Sequence, residues 1–252
     1  MNSRKTRLFA NRNNLLAVFL FLISATLSWS FSFTPMTTTI GPSGADAIMT
    51  FKVTNESDQQ IAVAVRVATR VLSPDGTEKN DPVDAKTFLV FPARIVLKPN
   101  SAQNVKVQYR GTPSLSGEVA YRVIAEQLPV DFSKSSASGV NILLTYVAAL
   151  YVSPKNVQAK LVVASAVGAQ KDGVRGLTVT VKNTGTRHAL LSNPKLSVTP
   201  SPGAAALEFS GDALSAIDGQ NILAQSERTF FVPWDAAVAG TTYEGAFNAE
   251  IE

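Results

Sequence analysis

Apolar residues recur at every second position over much of this chain, a period that suits β-strands with one buried and one wet face. From Ala47 to Thr54, the residues Ala47, Met49, Phe51 and Val53 share a side. Ile61, Val63, Val65 and Val67 do the same, and Val105, Val107 and Tyr109 alternate with Lys106, Gln108 and Arg110. Turn chemistry separates these runs at Asn55-Glu56-Ser57, Ser73-Pro74-Asp75-Gly76, Lys98-Pro99-Asn100 and Gly111-Thr112-Pro113. Many short strands at this spacing predict an antiparallel sandwich. No convincing amphipathic helix follows residue 30.

The pattern restarts after Ser153-Pro154-Lys155. Leu177 to Val181 runs into Lys182-Asn183-Thr184-Gly185, echoing Phe51 to Thr54 running into Asn55-Glu56-Ser57. Tyr243, Phe247, Ala249 and Ile251 close the chain on one more alternating face. The fold class expected is all-β, two sandwiches in tandem, with domains at 31–153 and 154–252.

Residues 1–30 stand apart. Arg4, Lys5, Arg7 and Arg12 precede an apolar run from Leu15 to Leu27, and Ser28-Trp29-Ser30 follows. This is the layout of a secretory signal peptide cleaved before Phe31. The run is too short for the roughly 20 residues of a spanning helix, so no stable membrane insertion is expected after cleavage. The chain has 23 Lys+Arg and 19 Asp+Glu, but four of the cations lie in the leader. The mature chain is therefore balanced, which gives no support for nucleic acid as a partner. With no cysteine, neither a disulfide framework nor a thiolate metal site can form.

Catalysis has little to draw on. His188, the only histidine, lies just past a turn and reads as a solvated loop residue, and the scattered carboxylates read as solvated charges. Thiol–histidine chemistry and a histidine-rich metal centre are both excluded. No glycine-rich phosphate loop occurs, so a non-enzyme without cofactor or metal is expected.

Two stretches depart from an ordinary sandwich strand. Glu118 to Leu128 is mostly apolar on both faces yet contains Arg122, whose burial demands a partner. That partner is either Glu118 or Glu126 on the same strand, or a carboxylate from another molecule. Val140 to Val152 reads as a thirteen-residue strand, long against the usual five or six. It follows a Ser-rich loop at 131–139 that is expected to be mobile. Val140, Ile142, Leu144 and Tyr146 share a face, which fits a central core strand, or an edge strand open to strand addition.

Taken together, several blocks resemble the periplasmic pilus chaperones of the chaperone–usher family. They are Phe91-Pro92, Leu97-Lys98-Pro99-Asn100, Gly117 to Val123, Glu126-Gln127-Leu128-Pro129, Val140 to Leu144, and Leu150 to Pro154. The resemblance implies a boomerang of two immunoglobulin-like β-sandwich domains in the periplasm, with a pilus subunit and then an outer-membrane usher as partners. It also implies donor-strand complementation, in which the chaperone's edge strand fills a groove in an incomplete subunit. The donor residues would be Val140, Ile142 and Leu144. Two basic anchors for the subunit's C-terminal carboxylate are missing, since the matching places read Thr39 and Ala149. Ser153 replaces an arginine that in relatives joins an interdomain ion pair. The chain therefore resembles a divergent branch, closer to the archaic or alternative systems, with Arg122 as the candidate carboxylate anchor. The rival reading is a secreted structural or adhesion protein of two immunoglobulin-like domains, which should blunt its edge strand with charge.

Far-UV circular dichroism of the mature chain is expected to show sheet, and neither chelator nor reductant should move its melting curve. A helix-dominated spectrum would overturn the fold assignment.

Overall fold

The computed structural model describes residues 31–129, 142–200 and 204–251; the leader, the Ser-rich stretch 131–139 and Val140 lie outside the described residues. The first half of the chain opens with β1 (Ser32–Thr34), β2 (Thr37–Ile40), β3 (Ile48–Thr54) and β4 (Ile61–Thr69). A short hairpin follows, β5 (Val71–Leu72) and β6 (Glu78–Lys79). Then come β7 (Phe88–Phe91), β8 (Arg94–Leu97), β9 (Ala102–Tyr109), β10 (Val119–Leu128) and β11 (Thr145–Val152). One sheet has the order β1-β3-β9-β7 and the other β2-β11-β10-β4-β8. Only β2 and β11 run parallel; the remaining pairs in this half are antiparallel.

The alternating faces read from the sequence form the core between these sheets. Phe51, Val53, Ile61, Val63, Val65, Val105, Val107 and Tyr109 are all buried there, with Phe31 and Phe33. The strand expected from Glu118 is β10. The strand expected from Val140 is shorter than the sequence suggests: its ladder to β10 starts at Thr145, and residues 142–144 lie outside any strand.

The second half contains β12 (Leu161–Lys171), β13 (Val174–Asn183), β14 (Ala189–Thr199), β15 (Leu207–Phe209), β16 (Asn221–Ile222), β17 (Glu227–Pro233) and β18 (Glu244–Ile251). A sheet of order β12-β13-β17 packs on one built around β14, which pairs with β15, β16 and β18. Its core is separate, formed by residues such as Leu177, Val179, Val181, Leu196, Val198 and Ile222. The fold is all-β, two immunoglobulin-like sandwiches in tandem.

The Asn echo is structural. Asn55 is fully buried and its Nδ2 donates to the carbonyls of Gln59, Leu97 and Lys98, while Oδ1 accepts from Ser57 N. Asn183 is equally buried; its Nδ2 donates to Arg187 O and Ile222 O, and its Oδ1 accepts from Lys160 N and Gly185 N. Each amide staples a strand end to a distant strand, satisfying backbone groups that no ladder reaches.

Polar contacts join the two halves. Thr229 N donates to Pro74 O (2.7 Å) and Glu118 N to Thr186 O (2.8 Å). Gly76, in the hairpin turn, has φ +92°, and any side chain there would run into the Arg228 guanidinium. The Tyr151 ring stacks on His188 at 3.8 Å, and its hydroxyl accepts from Arg70 Nη1 (2.8 Å) and Asn221 Nδ2 (2.9 Å). Behind this contact, Arg70 and Arg122 both hold Glu78 on β6.

Burial pushes the Glu78 carboxyl up, but hydrogen bonds from Arg122 and the charges of Arg122 and Arg70 outweigh it. The result is a value held down to about 2, from an ordinary 4.5. Because the folded value is depressed, its stabilisation is complete above about 4.5 and is lost as pH falls toward 2. Glu78→Gln is therefore expected to cost about 2 kcal/mol near neutrality, after allowing for the partial exposure of the pair. In acid titrations followed by thermal melting, the gap between parent and variant should close across that window. A gap independent of pH would mean that the carboxylate charge contributes nothing.

Candidate functional site

β11 is a strand with two different edges. One is paired to β10 from Thr145 to Val152. The other is covered by β2 only from Ala149 to Val152, where Ala149 N also donates to Met36 O (2.8 Å). Among the described residues, Thr145 to Ala148 have no strand on that side, so their outward N–H and C=O groups form an open ladder edge. The side chains from Ile142 to Ala148 include no charge.

The strand's pleat sorts its side chains. Leu144, Tyr146, Ala148, Leu150 and Val152 belong to the core of the first sandwich, with Leu144 and Tyr146 only partly buried. Ala149 and Tyr151 face the other way, into a small cluster with Leu72, Ala120 and Leu223 that lies at the contact between the halves. Ile142 shares the face of Leu144 by period but stands 71% exposed, and Leu143 and Val147 are exposed as well. Of the candidate donor residues, then, Ile142 is free, Leu144 is half committed to its own domain, and Val140 lies outside the described residues.

Arg122 lies on β10 opposite Ala149 and is 16% exposed. Its Nε donates to Glu78 Oε1 (2.6 Å) and its Nη2 to Glu78 Oε2 (2.5 Å). The internal partners suggested by the sequence, Glu118 and Glu126, are both replaced by Glu78. The reason is geometric: at about 3.3 Å per residue, side chains four apart on a strand are about 13 Å distant, whereas the β5–β6 hairpin carries Glu78 over the sheet.

Glu118 and His188 correct two further expectations. Glu118 is not a solvated charge; its side chain is 2% exposed, and Oε1 accepts from His188 N (3.0 Å) and lies 2.6 Å from His188 Nδ1. His188 is buried accordingly, not a solvated loop residue. This pair links the halves without the arginine whose place Ser153 takes. Thr39 is exposed on β2 and Ala149 is buried, so neither offers a cation at the positions where the resemblance expects one.

A cleft cavity of about 310 Å³ opens beside this pair, lined by Arg70, Glu118, Tyr121, Leu223 and neighbouring residues. Of the charged residues in its wall, Arg70 is held by Glu78 and Glu118 meets His188 through Oε1, while Glu118 Oε2 is buried without a hydrogen-bond partner. Among the described residues, no group of three His, Cys, Asp or Glu could hold a metal ion.

The missed residues share a cause. Glu78, Glu118, His188 and Gln127 are polar residues in or beside turns and strand ends, and their partners lie between 8 and 70 positions away. No local pattern marks such pairs.

Solved structures of similar shape are chaperones. The chain superposes on the class 5 fimbriae chaperone CfaA with a TM-score of 0.56 at 12% identity, covering 88% of this chain and 99% of that one. The YadV chaperone gives 0.52 at 12% identity, with 87% and 100% covered. The structure of Salmonella enterica SafA pilin in complex with the SafB chaperone gives 0.51 at 15%, with 90% and 99% covered. At these identities the likeness is one of fold. No curated protein sequence matches the chain. The family model of the pili and flagellar-assembly chaperone PapD N-terminal domain, however, matches residues 32–158, just over half of the sequence, and so the chain belongs to the pilus chaperones of the chaperone–usher family.

Proposed function

We propose that the chain is a periplasmic chaperone that holds pilus subunits by lending them the free edge of β11 and then passes them to an outer-membrane usher. The observation that carries this reading is the half-covered strand: β2 begins at Thr37, the partner of Ala149, and the edge of β11 before Ala149 is open, uncharged and flanked by exposed Ile142. A subunit strand added there would complete the sheet through backbone hydrogen bonds, while Ile142 and the loosely covered Leu144 enter its apolar groove. Fully burying an Ile side chain is worth roughly 1.5–3 kcal/mol. The signal-peptide layout of residues 1–30 supports export, and the SafA–SafB complex supports a pilus subunit as the partner. An adhesin of the same fold would be expected to carry charge on such an edge.

Arg122 enters this reading as the candidate for the subunit's C-terminal carboxylate. Two of its five N–H donors already hold Glu78, so an incoming carboxylate must use the remaining donors, share these two or displace Glu78. Arg122→Ala separates the roles. Loss of the Glu78 pair lowers the melting temperature in either case, but with Arg122 as an anchor its loss also lowers subunit retention by the folded chain roughly ten- to hundredfold. As a partner of Glu78 alone, its loss lowers the melting temperature and leaves retention intact.

Ile142→Asp is the cleanest probe of the donor edge, because its side chain is already in water. The variant is expected to melt like the parent yet fail to recover soluble subunit on co-expression in the periplasm. Leu144→Asp should also lose capture, but with a lower melting temperature, because Leu144 packs against the core of its own domain. An Ile142→Asp chain that still rescues subunit would end the donor-strand reading.

A further inference from the structure

β11 leaves its own sheet at one defined point, and two side chains hold it there. The ladder to β10 ends at the pair Glu126–Thr145. One position further, Gln127 N donates to Leu144 O (3.0 Å). In an ordinary hydrogen-bonded pair the return bond would reach the opposing main-chain carbonyl. Here Leu144 N instead reaches the side-chain Oε1 of Gln127, in a long bond of 3.4 Å. Gln127 is buried, and just upstream of this contact Leu143 and Ile142 stand out in solvent.

The second hold comes from the residue just before β1. Tyr146 Oη donates to Phe31 O at 2.6 Å, and the two rings meet edge to face at 4.8 Å. Phe31 is fully buried, so it is a fixed point. Burial, with the charge of Glu56, pushes the Tyr146 hydroxyl above its ordinary value.

We propose that Gln127 and Tyr146 are positioning residues for subunit capture, clamping β11 where it departs from β10 so that its free edge is presented already extended. This rests on the donor-strand reading above and adds to it the residues that pre-organise the edge. Without the clamps the same strand can still bind, but Leu144, which lies beyond the end of the ladder to β10, must be ordered at the moment of capture. Ordering a single backbone residue weakens a binding constant by roughly fivefold to thirtyfold.

The test uses the full-length chain, exported and processed, with a pilus subunit that the parent captures on co-expression. Parent and variant carry different tags, are co-expressed in equal amounts, and compete for that subunit. Gln127→Leu and Tyr146→Phe are each expected to take about one fifth or less of the subunit taken by the parent. Their melting temperatures should stay within a few degrees of the parent, and hydrogen exchange at the Leu144 and Tyr146 amides, which face β10, should accelerate. Equal sharing by the Tyr146→Phe chain with accelerated exchange would overturn the proposal, as would a fall in melting temperature with sharing unchanged. Should Gln127→Leu fail to fold, Tyr146→Phe decides by itself. Ile142→Asp in the same competition keeps the two ideas apart. If it is excluded while both clamp variants share equally, only the clamp fails; if it shares equally, the donor-strand reading fails and the clamp with it.

Discussion

The organising constraint is the half-covered edge of β11. A strand buried on both edges has nothing to offer another chain, and one bare along its whole length would invite indiscriminate pairing. Here β2 covers the final four residues and leaves the preceding ones open. The covered part also carries Tyr151, whose ring and hydroxyl make contacts to the second sandwich. The open edge and the contact between the halves therefore lie on one continuous strand, a few residues apart.

That contact is made of polar groups with specific partners more than of apolar area. The apolar cluster there is small, centred on Ala149, Tyr151 and Leu223. Around it, Glu118 meets His188, Arg70 and Asn221 share the Tyr151 hydroxyl, and Thr229 caps on Pro74. Buried polar groups are costly unless satisfied, so such an interface specifies one set of partners and penalises the rest. Most of the first-sandwich groups involved lie on or beside β10, β11 or the β5–β6 hairpin, which places the candidate binding edge a few residues from the contact between the halves.

Much of the fold was legible in advance. The alternation at Ile61, Val63, Val65 and Val67 marks one face as apolar whatever lies opposite, and all four are buried. The echo between Asn55 and Asn183 also survived, because a buried amide at a strand end has few ways to be satisfied. The site was legible only in part. The shared face of Ile142 and Leu144 was visible, but their different exposure was not, since it depends on where the ladder to β10 ends. His188 read as solvated because nothing local announces Glu118, which lies 70 positions earlier.

The sequence by itself determined the class of fold and the faces: a period of two, repeated through both halves and interrupted by turn residues, buries efficiently only as packed sheets. It also excluded disulfides, since there is no cysteine to make one. Only the tertiary structure decided which strand edge stays open, that Arg122 meets Glu78 and not its own strand's acids, and that His188 is buried against Tyr151. The reason is physical. Periodicity reports the side of a strand on which a residue lies, a property of the local backbone. Edge coverage and ion pairing depend on distances of a few ångströms between residues far apart in the chain, and those distances exist only once the sheets have packed.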